Sequence, residues 1–173
     1  MKKLSTLIFV CLSLFGKAQF NFQHLYGGVS HERGQTLLET TNNMYLFNGA
    51  TLSYGQGSAD AIFIKNNNQG QIIWTKVYGL PDYDNSEFAI ETNDLGYVGV
   101  GRSSVGVTAG TTDAWIYKTD SAGTLQWSKA YGNAGFDDGF VQAIRTIDNG
   151  YTFIGNTKSV GSGSYDVFLV HTD

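Results

Sequence analysis

The stretch Asp113-Ala-Trp-Ile-Tyr-Lys-Thr-Asp-Ser-Ala-Gly-Thr-Leu-Gln-Trp-Ser-Lys-Ala-Tyr-Gly132 decides the fold, because nearly the same text stands once upstream and begins again downstream. Asp60, Asp113 and Asp166 are 53 and 53 residues apart, Tyr26, Tyr78 and Tyr131 are 52 and 53 apart, and Trp74 and Trp127 are 53 apart. Self-similarity at such a period marks a repeat architecture, in which one unit cannot bury its apolar face alone and stacks on the next. The units span residues 25–76, 77–129 and 130–173, the last cut short.

Within a unit the spacing of turn residues predicts four short strands and an all-β fold. The first strand is expected at Gln35–Thr40, Glu87–Thr92 and Val141–Thr146. Asn42-Asn43, Asn93-Asp94-Leu95-Gly96 and Asp148-Asn149-Gly150 follow it, and Asn, Asp and Gly tolerate the positive φ of a tight hairpin turn. The second strand, Tyr45–Gly49, Tyr97–Gly101 and Tyr151–Gly155, ends on a recurring glycine that predicts a bulge or a close backbone approach. A surface loop rich in Ser and Gly precedes the third strand, expected at Ala61–Lys65, Ala114–Lys118 and Val167–His171. Ile72–Tyr78 and Leu125–Tyr131 form the fourth, and the third unit has no counterpart. Phe22-Gln-His-Leu-Tyr26-Gly27 aligns instead with Trp74-Thr-Lys-Val-Tyr78-Gly79, so a spare fourth strand is expected at the N-terminal end.

Residues 1–18 combine Lys2 and Lys3, an apolar run from Leu4 to Phe15 and a small residue at Ala18, the layout of a cleaved secretory signal. Residues 19–173 then form the repeat domain, exported to the outside or the outer cell surface, with no membrane insertion after cleavage. Cleavage removes Cys11, the only cysteine, so packing and not disulfides must stabilise the domain. It also lowers the basic count from 11 to 8 against 15 acidic residues, a net charge near −7. That balance disfavours nucleic acid as a partner.

No catalytic, cofactor-binding or metal-ligating residue stands out. Asp60, Asp113 and Asp166 recur in every unit, which argues for hydrogen bonding at strand starts and not for a single active site. The same reasoning gives Trp74 and Trp127 a packing role, with an indole N–H that finds a backbone acceptor. Asp82-Tyr-Asp84-Asn-Ser86 imitates an EF-hand start, but Glu87 stands at the glycine position and Asn93 at the twelfth, so the motif fails. Its counterparts Glu32 and Asp137-Asp138 could add at most a weak calcium contact between units. His24, His31 and His171 form no short-spaced pair, and nucleophile-elbow, zincin and phosphate-loop motifs are missing.

The repeated text resembles that of secreted bacterial β-propeller proteins of Bacteroidetes type, whose units read roughly D-A-(aromatic)-x-x-K-x-(D/N)-x-x-G-x-φ-x-W-x-K-x-(Y/F)-G-G. Asp113, Ala114, Trp115, Lys118, Asp120, Gly123, Trp127, Lys129, Tyr131 and Gly132 match, as do Asp60, Ala61, Lys65, Gly70, Trp74, Lys76, Tyr78 and Gly79. Asn67, Leu80, Asn133 and His171 depart from the pattern. The resemblance implies about three four-stranded antiparallel blades, first strand innermost and fourth outermost. Propellers use about 4 to 8 blades. Either the sequence is part of a longer propeller, or copies associate through open blade edges. The function expected is a non-catalytic module that binds a protein or glycan ligand or acts as a scaffold. The alternative is a piece of a glycan-acting propeller enzyme, with its active site in further blades or at non-repeating residues such as Glu87, Glu91 and Arg145.

Overall fold

The computed structural model describes residues 22–104, 110–162 and 164–173. The signal sequence expected at residues 1–18 lies outside the described residues, as does most of the loop from Ser103 to Gly110. The described residues form eleven antiparallel strands: β1 (Glu32–Glu39), β2 (Tyr45–Thr51), β3 (Asp60–Asn66), β4 (Ile72–Tyr78), β5 (Asp84–Glu91), β6 (Tyr97–Ser103), β7 (Asp113–Thr119), β8 (Leu125–Tyr131), β9 (Gly139–Arg145), β10 (Tyr151–Thr157) and β11 (Asp166–Thr172). They make three sheets in sequence order, β1 to β4, β5 to β8 and β9 to β11. No helix occurs among the described residues, so none is long and apolar enough to cross a membrane.

The fourth strands lie where the spacing places them, while the first strands begin two or three residues earlier than expected. A register shift explains the difference. β1 slips against β2 between Gly34 and Thr36, and β5 slips against β6 between Ser86 and Phe88. Pairing resumes beyond each bulge, so alternation read from one side of it misses the far segment. The recurring second-strand glycine sits opposite: a methyl at Gly49, Gly101 or Gly155 would run into the carbonyl oxygen of Arg33, Asn85 or Gly139. In the turns, Asn43, Leu95 and Asn149 adopt φ of 58°, 61° and 68°. Thr40 donates to Asn42, Thr92 to Asp94 and Thr146 to Asp148, fixing each turn by the same side-chain bond.

Two apolar layers join the sheets. Leu46, Ala61 and Phe63 of the first sheet pack on Ala89, Tyr97, Trp115 and Tyr117 of the second, with Tyr78 closing the layer. Val98, Val100, Ala114 and Ile116 of the second sheet pack on Phe140, Ala143 and Phe153 of the third. Phe63 lies 5.3 Å from Tyr78 and 5.2 Å from Tyr117 between ring centroids, and Trp115 stacks on Tyr117 at 4.4 Å. Such pairs add to plain area burial. β3 and β7, covered on both faces and both edges, are buried along their whole length, whereas β11 alternates with exposed positions.

The segment Phe22 to Gly27 is not a strand, contrary to the sequence expectation. Its side chains nevertheless stand where a fourth strand would put them. Tyr26 Oη donates to the Gly70 carbonyl at 2.5 Å, as Tyr78 Oη donates to the Gly123 carbonyl at 2.7 Å. Gly70 (φ 77°) faces Phe22 and His24 just as Gly123 (φ 76°) faces Trp74 and Lys76. Among the described residues no strand edge pairs with this segment, and pairing partners for backbone groups come from an adjacent edge.

Candidate functional site: the groove along the first strands

The recurring polar residues are consumed by the scaffold. Asp60 Oδ2 accepts from the backbone N–H of Gln56 and Gly57, both at 3.1 Å, and Asp166 Oδ2 accepts from Ser162 at 3.2 Å, tying each glycine-rich loop to the start of its third strand. Asn67 Oδ1 accepts from the N–H of Gln69 and Gln71, and Asp120 Oδ1 does the same for Ala122 and Thr124, so Asn67 replaces the aspartate without loss of function in the turn. Lys118 Nζ meets Asp94 at 2.8 Å, and His171 Nε2 lies 3.2 Å from Asp148 in the same place one unit on. Lys65 Nζ instead donates to Tyr97 Oη at 2.6 Å across the first junction. Burial pushes the Tyr97 phenol up to about 12 and lowers the Lys65 ammonium.

Carboxylates pair at each junction. Gly79 is flanked by Asp60 and Asp84, and Gly132 by Asp113 and Asp138. Asp84 N–H donates to the Ala59 carbonyl at 2.8 Å and Asp138 N–H to Thr112 at 2.7 Å, which draws the acids together. Asp113 Oδ1 and Asp138 Oδ2 are buried without a donor. Burial first, then the Asp138 charge, raises the Asp113 carboxyl; burial also raises Asp84, with Asp60 adding to it. These pairings were not legible from spacing, because the partners come from adjacent units. Among the described residues no three His, Cys, Asp or Glu side chains gather to hold a metal ion.

Trp74 packs on Tyr97 at 6.0 Å, as the sequence predicts, but Trp127 is 42% exposed and the described hydrogen bonds include none from either indole. The turn glycine Gly123 seats Trp74; no corresponding turn stands against Trp127 among the described residues.

What the scaffold leaves free is a groove. β1, β5 and β9 are the edge strands of their sheets, and β5 packs beside both β1 and β9, so their edges line one wall. Glu39, Glu91 and Arg145 are the last residues of the three strands and therefore lie at one level. They border a cavity of ≈ 590 Å³ floored by Leu38, Phe88 and Ile90. Thr41 caps Glu91 through its N–H at 2.7 Å and its hydroxyl at 2.5 Å, and Arg145 donates to Asn93 at 2.5 Å. Glu87 stands four residues away along β5, bonded to Gln35 and Asn85, so it is not brought to the same place. Of the three non-repeating residues singled out from the sequence, the structure joins Glu91 and Arg145 and leaves Glu87 apart. Glu39 was missed, although its equivalent position in the three units was available as a signal. No protein-family model matches the chain, and no match is found among curated proteins.

Proposed function

We propose that this chain is a secreted or cell-surface, non-catalytic repeat module of the β-propeller type, binding a protein or glycan ligand along the groove of its first strands. One observation carries the reading. Polar residues that recur in every unit are spent on turns, loops and junctions, while the last residues of the three first strands, Glu39 and Glu91 with Arg145 in place of a third glutamate, border a single cavity. A ligand there meets two carboxylates, one guanidinium and an aliphatic floor. Such a mixture gives orientation through a few polar groups and affinity through apolar contact. The sequence of three stacked sheets with their first strands along one wall supports the propeller assignment, since that is where propeller blades turn their inner edges.

The test is a binding and hydrolysis screen of the secreted chain against soluble oligosaccharides and an unfolded reporter peptide library, repeated with E39A, E91A and R145A. Binding weakened about tenfold or more by each replacement, with no turnover of any probe, is the expected result. Turnover abolished by replacing Glu91 alone would overturn the non-catalytic reading. Undiminished binding in all three variants would displace the ligand from this groove.

A further inference from the structure

β4 has two tasks at once. It hydrogen-bonds along β3 to complete the first sheet, and through Trp74, Lys76 and Tyr78 it clamps the Gly123 turn of the second. Phe22 to Tyr26 carries out the second task alone: it clamps the Gly70 turn and has no strand to pair with. β11 has the opposite deficit, because its inner edge pairs with β10 and its outer edge pairs with no described residue. The faces match these edges. Val167 and Leu169 occupy the positions of Ala61 and Phe63, and of Ala114 and Ile116, which are buried against the following sheet; here they are 74% and 65% exposed. At the other end Leu37 holds the position of Ala89 and Ala143, buried against the preceding sheet, and is 66% exposed. Between Leu37, Tyr45, Phe47, Phe22 and Tyr26 lies an apolar cavity of ≈ 390 Å³. The junction carboxylates are split as well. A Cβ on Gly27 would meet Glu32 with no third-strand aspartate beside it, and among the described residues no glycine flanked by a second acid stands against Asp166 as Gly79 and Gly132 stand against Asp60 and Asp113.

The two ends are thus the halves of one junction of the kind formed twice inside the chain. We propose that a second copy of this chain fills the gap: its Phe22 to Tyr26 segment adds to the outer edge of β11 as a fourth strand, and its first sheet covers Val167 and Leu169. Exposed apolar side chains grouped on one face mark association surfaces, and addition of a strand to a free edge satisfies the row of unpaired backbone groups. The contact is heterologous, so it closes only if the rotation permits. The described sheets of two copies number six, within the range of about 4 to 8 in which such stacks close on themselves. The inference rests on the repeat-module reading and supplies its partner.

The internal junctions fix the register. Phe63 pairs with Lys76 and Ile116 with Lys129, which places Leu169 opposite His24 of the second copy. The experiment uses the secreted chain with H24C and L169C, both on exposed or edge positions, and Q23C with L169C as the pair one residue out of register. Oxidation of H24C/L169C is expected to give a reducible covalent dimer at micromolar concentration, with at least tenfold less from Q23C/L169C. Light scattering of the unmodified chain should show twice the monomer mass, and L169K should lower it to one. A monomer mass at every concentration with no cross-link overturns the proposal, and a ladder of higher multimers overturns ring closure. A monomer that keeps its β circular dichroism and cooperative unfolding refutes the second copy alone; loss of both in the unmodified chain refutes the repeat module itself.

Discussion

Replacing Ser86 with alanine tests whether the junction between the first two sheets is held by a specific polar contact or by apolar packing alone. Ser86 Oγ is fully buried and accepts from Asn48 Nδ2 of β2 at 2.7 Å and from Tyr117 Oη of β7 at 2.6 Å. Asn48 is itself held from the other side by the Thr36 hydroxyl, so it cannot turn away to find water. S86A removes only one oxygen but strands two donors, and each buried donor left without a partner costs about 1–3 kcal/mol. We expect about 3 kcal/mol of destabilisation, a large share of the roughly 5–15 kcal/mol available to a domain. Y117F, which deletes a donor with its acceptor left in place, is expected to cost about 1 kcal/mol. The double variant removes one of the two stranded donors, so it should be more stable than S86A by about 1 kcal/mol. Urea unfolding followed by tryptophan fluorescence gives all four stabilities. An S86A cost below about 0.5 kcal/mol, or a double variant less stable than S86A, would refute the network as a source of stability.

The phenol clamp predicts that Y78F destabilises by about 1 kcal/mol, because the buried Tyr78 hydroxyl is lost from the Gly123 carbonyl; Y26F, in a half-buried segment outside any strand, should cost less, and thermal melts of both decide it. Asp113 and Asp94 should respond to pH with opposite signs. The Asp113 carboxyl is raised by burial, so its ionisation opposes folding and wild-type stability from this site falls as pH rises above the unfolded value near 4. D113N, whose amide can donate to Asp138 Oδ2, should therefore melt higher than wild type at neutral pH and lose that advantage below pH about 4. Asp94 is pulled down to about 2 by Lys118 and then by Thr92, so its contribution is present above the unfolded value near 4 and disappears as pH falls through about 2. D94N should accordingly lower the melting temperature at neutral pH and have no effect near pH 2; equal responses of the two variants at both pH values would refute this assignment of signs.

The repeat period made strand order and turns readable, since Asn43 and Asn149 announce positive φ and the fourth strands coincide with the W-x-K-x-Y text. Leu95, at φ 61°, could be placed only by alignment with those asparagines. The bulges at Gly34/Thr36 and Ser86/Phe88 hid the starts of the first strands, because a slipped register moves side chains to the other face. The Asp113–Asp138 contact and the Asn48–Ser86–Tyr117 network join residues of different units, and a periodicity describes what each unit shares, not what it touches next door. The groove was half legible. Arg145 stands out because it breaks the repeat at this level, whereas Glu39 and Glu91 repeat one another, so Glu39 carried no signal of its own. Phe22 to Gly27 was correct in alignment and wrong in secondary structure: the tyrosine finds its carbonyl, but a strand requires an edge.

The tyrosine clamp also gives the stack a direction in time. Each β3–β4 type of turn receives its hydroxyl from a residue about 45 positions earlier, Tyr26 for Gly70 and Tyr78 for Gly123. During synthesis the earlier segments emerge first, and units can fold as they leave the ribosome. A new sheet therefore meets a clamp that has already been made, and it can lock as soon as its own turn closes, without waiting for anything downstream. Growth of the array by duplication of a unit would preserve that order, because every added copy brings both the glycine for the clamp behind it and the tyrosine for the sheet ahead.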